Sequence, residues 1–395
     1  MIMSIPPALI DSAGRFRAWM RDAALPVWAQ TGWDSTRGGF HERFDLKGQP
    51  DSNAVRRVRS QARQIYVYAH ADHLGWFDGG NALALRGLDW LTDKAWSPDG
   101  EPGWVARLSP DGDVIDPTRD LYEQAFALLA LAWIYRSTGE ARALDLINET
   151  LAYLDEVMAH PAGGWLESVP DRAPPRRQNP HMHMFEASLA LFDATQDKRH
   201  LERAAGIHEV MRKHWIAESG SLLELFDADW SRYGGKTGTT TEPGHQYEWV
   251  WLLDHYRERT GADVSSEIAS LYAFARTYGR NSKTGLIMAA VAEDGAPMDM
   301  SARTWQQTEH LKASLIQGAA GRTGAWDAAG DALHRLFARF LAPAPAGCWI
   351  DAYDADGKPD VTGITASTLY HLFVAAVETK RVLSDQQSSA KAASR

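Results

Sequence analysis

A pattern that returns six times constrains this chain more than any other feature. Six segments share one recipe: a glycine, a short apolar or aromatic run, a Gly, Asp or Pro turn, then a polar stretch. They begin at Gly38-Gly39-Phe40, Gly103-Trp104, Gly163-Gly164-Trp165, Gly220-Ser221-Leu222, Gly285-Leu286-Ile287 and Gly347-Cys348-Trp349. Asp111-Gly112, Asp294-Gly295 and Asp356-Gly357 are hairpin-turn pairs, so each segment reads as a short β-hairpin or an extended loop. Between them lie apolar patterns of helical period, mostly in pairs. These predict helices near 9–31, 56–75, 79–94, 118–138, 140–158, 180–196, 198–217, 244–261, 263–279, 304–319, 322–342 and 364–383. Helix pairs and hairpins repeating about every sixty residues predict an all-α fold, an (α/α)6 barrel with the hairpins at one mouth. Its inner helices should be apolar all round and its outer ones amphipathic. No Pro/Ser-rich linker interrupts the pattern, so residues 1–385 are expected to form one domain and 386–395 a polar, frayed tail.

Each hairpin precedes the same member of its helix pair, which brings the first turns of six helices to one mouth. The polar residues there are Arg63, Tyr122 with Gln124, His183, His245 with Glu248, Trp305 with Glu309, and His371. Three of these clusters centre on histidine, whose ordinary pKa lets it take and return a proton near neutrality. Glu248, three residues after His245 on one helix face, is placed to orient that ring.

Composition narrows the function classes. Lys and Arg total 41 against 51 Asp and Glu, a net charge of −10, with no basic stripe, which argues against nucleic acid and anionic membranes as partners. One cysteine, Cys348, permits neither an intramolecular disulfide nor a cysteine-based metal site. That usage and an N-terminus without the pattern of a secretory signal lead to an expected cytoplasmic location. His70-Ala71-Asp72-His73 has usable spacing for a metal but no evident third ligand, and no His-Glu-x-x-His occurs, so no metal and no cofactor are expected. Arg176-Arg177 reads as a solvated pair rather than a phosphate clamp. Glu248 and Glu309 could supply the paired carboxylates of a glycoside hydrolase on the same barrel. A non-catalytic sugar-binding barrel is a further rival.

Six segments then carry a resemblance: Gln61-Ala62-Arg63, Asp120-Leu121-Tyr122-Glu123-Gln124-Ala125-Phe126, Asn179-Pro180-His181-Met182-His183, Pro243-Gly244-His245-Gln246-Tyr247-Glu248-Trp249, Trp305-Gln306-Gln307-Thr308-Glu309 and Leu369-Tyr370-His371-Leu372. In this order, over nearly the whole chain, they resemble the N-acylglucosamine 2-epimerase superfamily, which includes mannose isomerases and cellobiose 2-epimerases. The resemblance implies an (α/α)6 barrel and a sugar isomerase or epimerase that needs no metal or other cofactor. It implies that His245 and His371 are the acid and base, and that Arg63 holds the sugar oxygens and the enediolate. His183, Glu248, Trp305, Glu309 and Tyr122 are implied as substrate-binding. The stretch Thr365-Ala366-Ser367-Thr368-Leu369-Tyr370-His371 resembles bacterial mannose isomerases more than N-acylglucosamine epimerases. D-mannose–D-fructose interconversion is therefore the expected reaction, with 2-epimerisation as alternative. The partner is a small monosaccharide, which is phosphorylated or sulfonated if Arg176 or Arg177 reaches the site. A homodimer is left open.

Overall fold

The computed structural model describes residues 5–393. Its helices are α1 (Pro7–Trp19), α2 (Leu25–Gln30), α3 (Val58–His73), α4 (Gly80–Ala95), α5 (Leu121–Thr138), α6 (Ala141–Tyr153), α7 (Gln178–Thr195), α8 (Arg199–Val210), α9 (Pro243–Thr260), α10 (Ser265–Tyr278), α11 (Thr304–Ala319), α12 (Ala325–Arg335) and α13 (Thr368–Ala393). A π turn at Met20–Ala24 joins α1 to α2 as one rod, which brings the rods to the twelve expected. Similar π turns extend α6, α8 and α12.

Helices α3, α5, α7, α9, α11 and α13 pack in sequence, and α13 returns to α3, closing an inner ring. Around it, α4, α6, α8, α10 and α12 each pack on the inner helix before them, and α1 covers α13. This is the (α/α)6 barrel. The two rings differ as the patterning predicts. Helix α5 is buried from Glu123 to Ala132 without a break. Helix α6 buries only Ala143, Leu146, Ile147, Thr150, Leu151 and Tyr153, one stripe at helical spacing.

The extended segments do more than form hairpins. Two regular hairpins occur among the described residues, Arg107–Leu108 with Val114–Asp116 and Ala290–Ala292 with Pro297–Asp299. Each two-residue strand that leads into α3, α5, α7, α9 or α11 pairs instead with a strand of the following repeat, as Arg176–Arg177 does with Leu225–Phe226. The strand before α13, Ile364–Thr365, pairs with Arg43–Phe44 and closes this stitching around the mouth. The predicted turns hold: Gly112, Gly295 and Gly357 all have positive φ.

A side-chain device anchors these segments to the inner helices. Gln61, Gln124 and Gln307 each accept from, and donate to, one backbone unit, that of Phe40, Trp104 and Ile287. In the third repeat a histidine takes over, and Trp165 N donates to His181 Nε2 at 3.1 Å. His181 is thus a structural clamp, although it sits two residues from His183.

Two expectations change. Helix α13 continues through Gln386 to Ala393, so this stretch extends a helix instead of fraying; residues 394–395 lie outside the described residues. Arg176 is not solvated: it is 3% exposed, lies over the Trp230 ring and donates to the carbonyls of Gly163, Trp165 and Ala228. It is a strut inside the loop layer.

Candidate active site

At the mouth formed by the first turns of the inner helices lies a polar cavity of about 260 Å³. Arg63, Tyr122, His183, His245, Glu248, Trp305 and His371 all line it. Glu309 does not: it is fully buried behind His371. A larger, mostly apolar cavity of about 400 Å³ lies at the opposite end of the barrel, where the inner helices finish. It takes His70 and His73, whose rings face Trp133, and none of the three mouth histidines.

The Trp305 indole lies between the two histidines implied as acid and base, its ring centroid 5.0 Å from that of His245 and 5.6 Å from that of His371. It can reach this position because residue 244 is glycine; a Cβ there would stand 2.6 Å from Trp305 Cζ3.

Each histidine is held by a carboxylate; of the three partners the sequence singled out only Glu309, and that as a substrate-binding residue. His371 Nδ1 donates to Glu309 Oε1 at 2.9 Å. His183 Nδ1 donates to Glu186 Oε2 at 3.0 Å, and Glu186 also accepts from the Tyr370 hydroxyl. His245 Nδ1 donates to Glu224 Oε2 at 3.0 Å, with Glu242 Oε2 at 3.7 Å. Glu248 was expected to orient His245 and does not. Its two oxygens have no partner, although the residue is 1% exposed. It turns toward the cavity floor, where its donor atoms come within 4.8 Å of those of Glu309 and His371. Glu224 comes from the extended segment of the fourth repeat, where Gln178 Nε2 and Glu242 N donate to it.

Surroundings set different charge states on the two histidines. Burial alone would lower the pKa of His245, but Glu224 and then Glu242 raise it to about 10. The ring is therefore cationic at neutral pH. Burial and the cations of Arg63 and Lys312, with His183 and Arg303 beyond, hold His371 well below its ordinary value. This ring is neutral. The carboxyl of Glu309 is pushed up, by burial first and then by Glu248, against the pull of Lys312.

Arg63 supplies a positive charge that no carboxylate answers. Its Nη2 donates to the Tyr122 hydroxyl at 3.0 Å, its Nε is buried without a partner, and its guanidinium lies 4.1 Å from the Phe126 ring centroid. The rim arginines differ. Arg57 pairs with Glu42, Arg59 with Glu123, and Arg303 lies 3.6 Å from Asp351.

Two trios, Glu224 with Glu242 and His245, and Glu248 with Glu309 and His371, group their donor atoms as closely as a metal site does. In both, the closeness comes from an imidazole N–H donating to a carboxylate. In the second, the Lys312 ammonium already stands 2.6 Å from Glu309 Oε2. The donor set reads as hydrogen-bonded acid–base pairs.

An (α/α)6 barrel with histidine–carboxylate pairs and a free guanidinium in one polar mouth defines a class of proton-transfer enzyme acting on small polar molecules. The N-acylglucosamine 2-epimerase (GlcNAc 2-epimerase) profile matches residues 38–375, and the chain belongs to that family. It is an enzyme of the sugar isomerase/epimerase type. Among its relatives, the mannose-6-phosphate isomerase of Rhizobium meliloti is 36% identical over 93% of this chain and 96% of its own length. The D-mannose isomerase of Thermobifida fusca is 29% identical over 87% of this chain and 91% of its own. The cellobiose 2-epimerase of Spirochaeta thermophila superposes with a TM-score of 0.86 at 24% identity, covering 97% of this chain and 99% of that one. A D-mannose isomerase crystal structure gives a TM-score of 0.85 at 23% identity, over 96% and 100%. Among the described residues, no helix is long and apolar enough to cross a membrane.

Proposed function

We propose that this enzyme interconverts D-mannose and D-fructose through an enediolate, with no metal or other cofactor. The observation that carries the reading is the pairing of a neutral and a cationic histidine on one indole. His371 Nδ1 is spent on Glu309, so its Nε2 lone pair is the free base. It removes the C2 proton of the opened sugar; the C–H electron pair becomes the C1=C2 bond and the carbonyl pair moves onto O1. The Arg63 guanidinium, lacking a carboxylate of its own, meets that negative charge. The cationic His245 gives its proton to O1 as charge develops there. His371 then returns the carbon-bound proton to C1 while the O2–H pair forms the C2 carbonyl and the O2 proton goes back to His245, so aldose has become ketose with no net gain or loss of protons. Glu248, with both oxygens unpartnered, accepts from sugar hydroxyls.

The rim favours an uncharged hexose. A phosphate would need free cations, whereas Arg57, Arg59 and Arg303 each face a carboxylate. One observation favours 2-epimerisation as the second reading: a proton donor at either side of Trp305 could serve opposite faces of C2.

Proton NMR of the protein with D-mannose in D2O and EDTA tests the proposal. Fructose as first product, with His371→Ala and His245→Ala both reduced by about 10²-fold or more, supports it. Glucose first selects the epimerase. Turnover of mannose 6-phosphate alone overturns the choice of an uncharged sugar.

A further inference from the structure

The His371–Glu309 and His245–Glu224 pairs differ in what stands behind the carboxylate. Lys312 is fully buried, as is Glu309 one helical turn before it on α11. Its ammonium lies 2.6 Å from Glu309 Oε2, the oxygen that does not face His371, and 3.4 Å from the centroid of the Trp251 ring. The Glu224–His245 pair has no such cation behind it; its second neighbour is another carboxylate, Glu242.

We propose that Lys312 is the positioning residue that makes His371 the base: by occupying the far side of Glu309, it stops that carboxylate from holding an imidazolium, while the matched pair at His245 keeps its proton. The inference rests on the functional reading above but makes its own demand on the unliganded protein.

The physical argument is a charge count. A carboxylate 2.9 Å from an imidazole normally favours the cation, as Glu224 does for His245. Around His371, Glu309 and Glu248 are the carboxylates, joined by Glu186 on the far side of Tyr370. Against them stand Arg63 from α3, Lys312 from α11, the His183 ring from α7 and Arg303 at the rim. Two carboxyls this close in a dry site do not both keep a full charge, so Lys312 tips the balance. The Trp251 face holds the ammonium where it reaches Glu309 and cannot reach the cavity. Burying a lysine is costly and gives no contact with substrate, which fits a residue kept to set the charge of its neighbour.

The test is a histidine-labelled NMR titration of the sugar-free protein, with His371 assigned through His371→Asn. In the wild type the His371 signal should titrate well below the ordinary histidine range. In Lys312→Met its midpoint should rise by at least one pH unit. The acid limb of kcat/KM should move up with it by the same interval. The His245 signal should stay where it is. A folded Lys312→Met protein with an unmoved His371 midpoint overturns the proposal. If Lys312→Met does not fold, Lys312→Gln, which keeps a polar group beside Glu309 but removes the charge, takes its place. The His371 midpoint must again lie above that of the wild type, and an unmoved midpoint overturns the idea. A shifted titration in a protein that converts no sugar would leave this inference standing and remove the functional reading.

Discussion

His245 is governed by Glu224, a residue of the extended segment of its own repeat, across a 3.0 Å hydrogen bond. The proposed acid therefore sits on one helix while the group that keeps it charged comes from a neighbouring loop layer. Replacing Glu224 with Gln keeps the shape and removes the charge. The pKa of His245 should then fall from about 10 toward its ordinary value, because burial is left opposed only by the more distant Glu242 and Glu248. An acid must be protonated to act, so the alkaline limb of kcat/KM moves to lower pH. At pH 9 the loss should be about ten-fold or more, with the rate at pH 6 changed little. Superimposable alkaline limbs in pH–rate profiles would show that Glu224 does not hold the proton on His245.

Arg63→Met should separate chemistry from stability. The guanidinium is the one cation of the mouth that lacks a carboxylate, and it rests on the Phe126 ring. Losing it should lower kcat by about 10²- to 10³-fold, the range for removing one donor to a developing oxyanion. The melting temperature should hold or rise, since an uncompensated buried charge has gone. Steady-state kinetics and a thermal melt read the two effects; near-wild-type kcat would sink the oxyanion role.

Gly244→Ala probes the indole between the histidines. The new Cβ would meet Trp305 at 2.6 Å, and the ring must move because Gln306 Cγ, at 2.8 Å, blocks the other side. Helix α9 itself gains slightly from alanine. The expectation is an intact fold with kcat down about ten-fold, an effect of misplaced groups rather than lost ones. Kinetics with tryptophan fluorescence check it, and unchanged values for both would mean the indole position is not critical.

His181 predicts an acid weakness. Burial, with Arg176 nearby, lowers its pKa to about 3, against 6.5 when exposed. Between those values the unfolded chain binds a proton that the folded one refuses, so stability is complete above about pH 6.5 and falls as the pH drops toward 3. The loss is about 1 kcal/mol per pH unit. His181→Gln installs the glutamine that the first, second and fifth repeats use for the same clamp. It should fold, and its melting temperature should fall less between pH 7 and pH 5 than that of the wild type. Equal losses would place the acid sensitivity elsewhere, with His310, also lowered to about 3, the next residue to change.

The barrel was legible because helix pairs and glycine turns are local signals and the chain repeats them. The mouth residues were legible because Arg63, Tyr122, His183, His245, Trp305 and His371 recur at matching points of those repeats. What the sequence concealed were partners across space. Glu224 lies in the polar stretch of one of the recurring loop segments, where nothing local tells which side chain turns to the mouth, and Glu186 and Lys312 sit on helices buried all round, where no polar face marks them out. Glu248 was assigned to His245 by helical spacing alone; the spacing was right, but the His245 ring turns out to the loop layer while Glu248 turns in. Arg176 read as a surface residue because charge usually is one, and its burial depends on three carbonyls that only the folded loops present.

The pairing of Arg43–Phe44 with Ile364–Thr365 has a consequence for how the molecule comes into being. It joins segments more than three hundred residues apart, so the ring gains its last contacts only after nearly all of the chain has been made. His371 stands just beyond that closing strand, on the last helix. The nascent chain can stack its early helices on one another, but the cup they form lacks both a wall and its proposed base until synthesis is almost over. Sugar turnover thus begins with ring closure, and no partly made chain can carry it out.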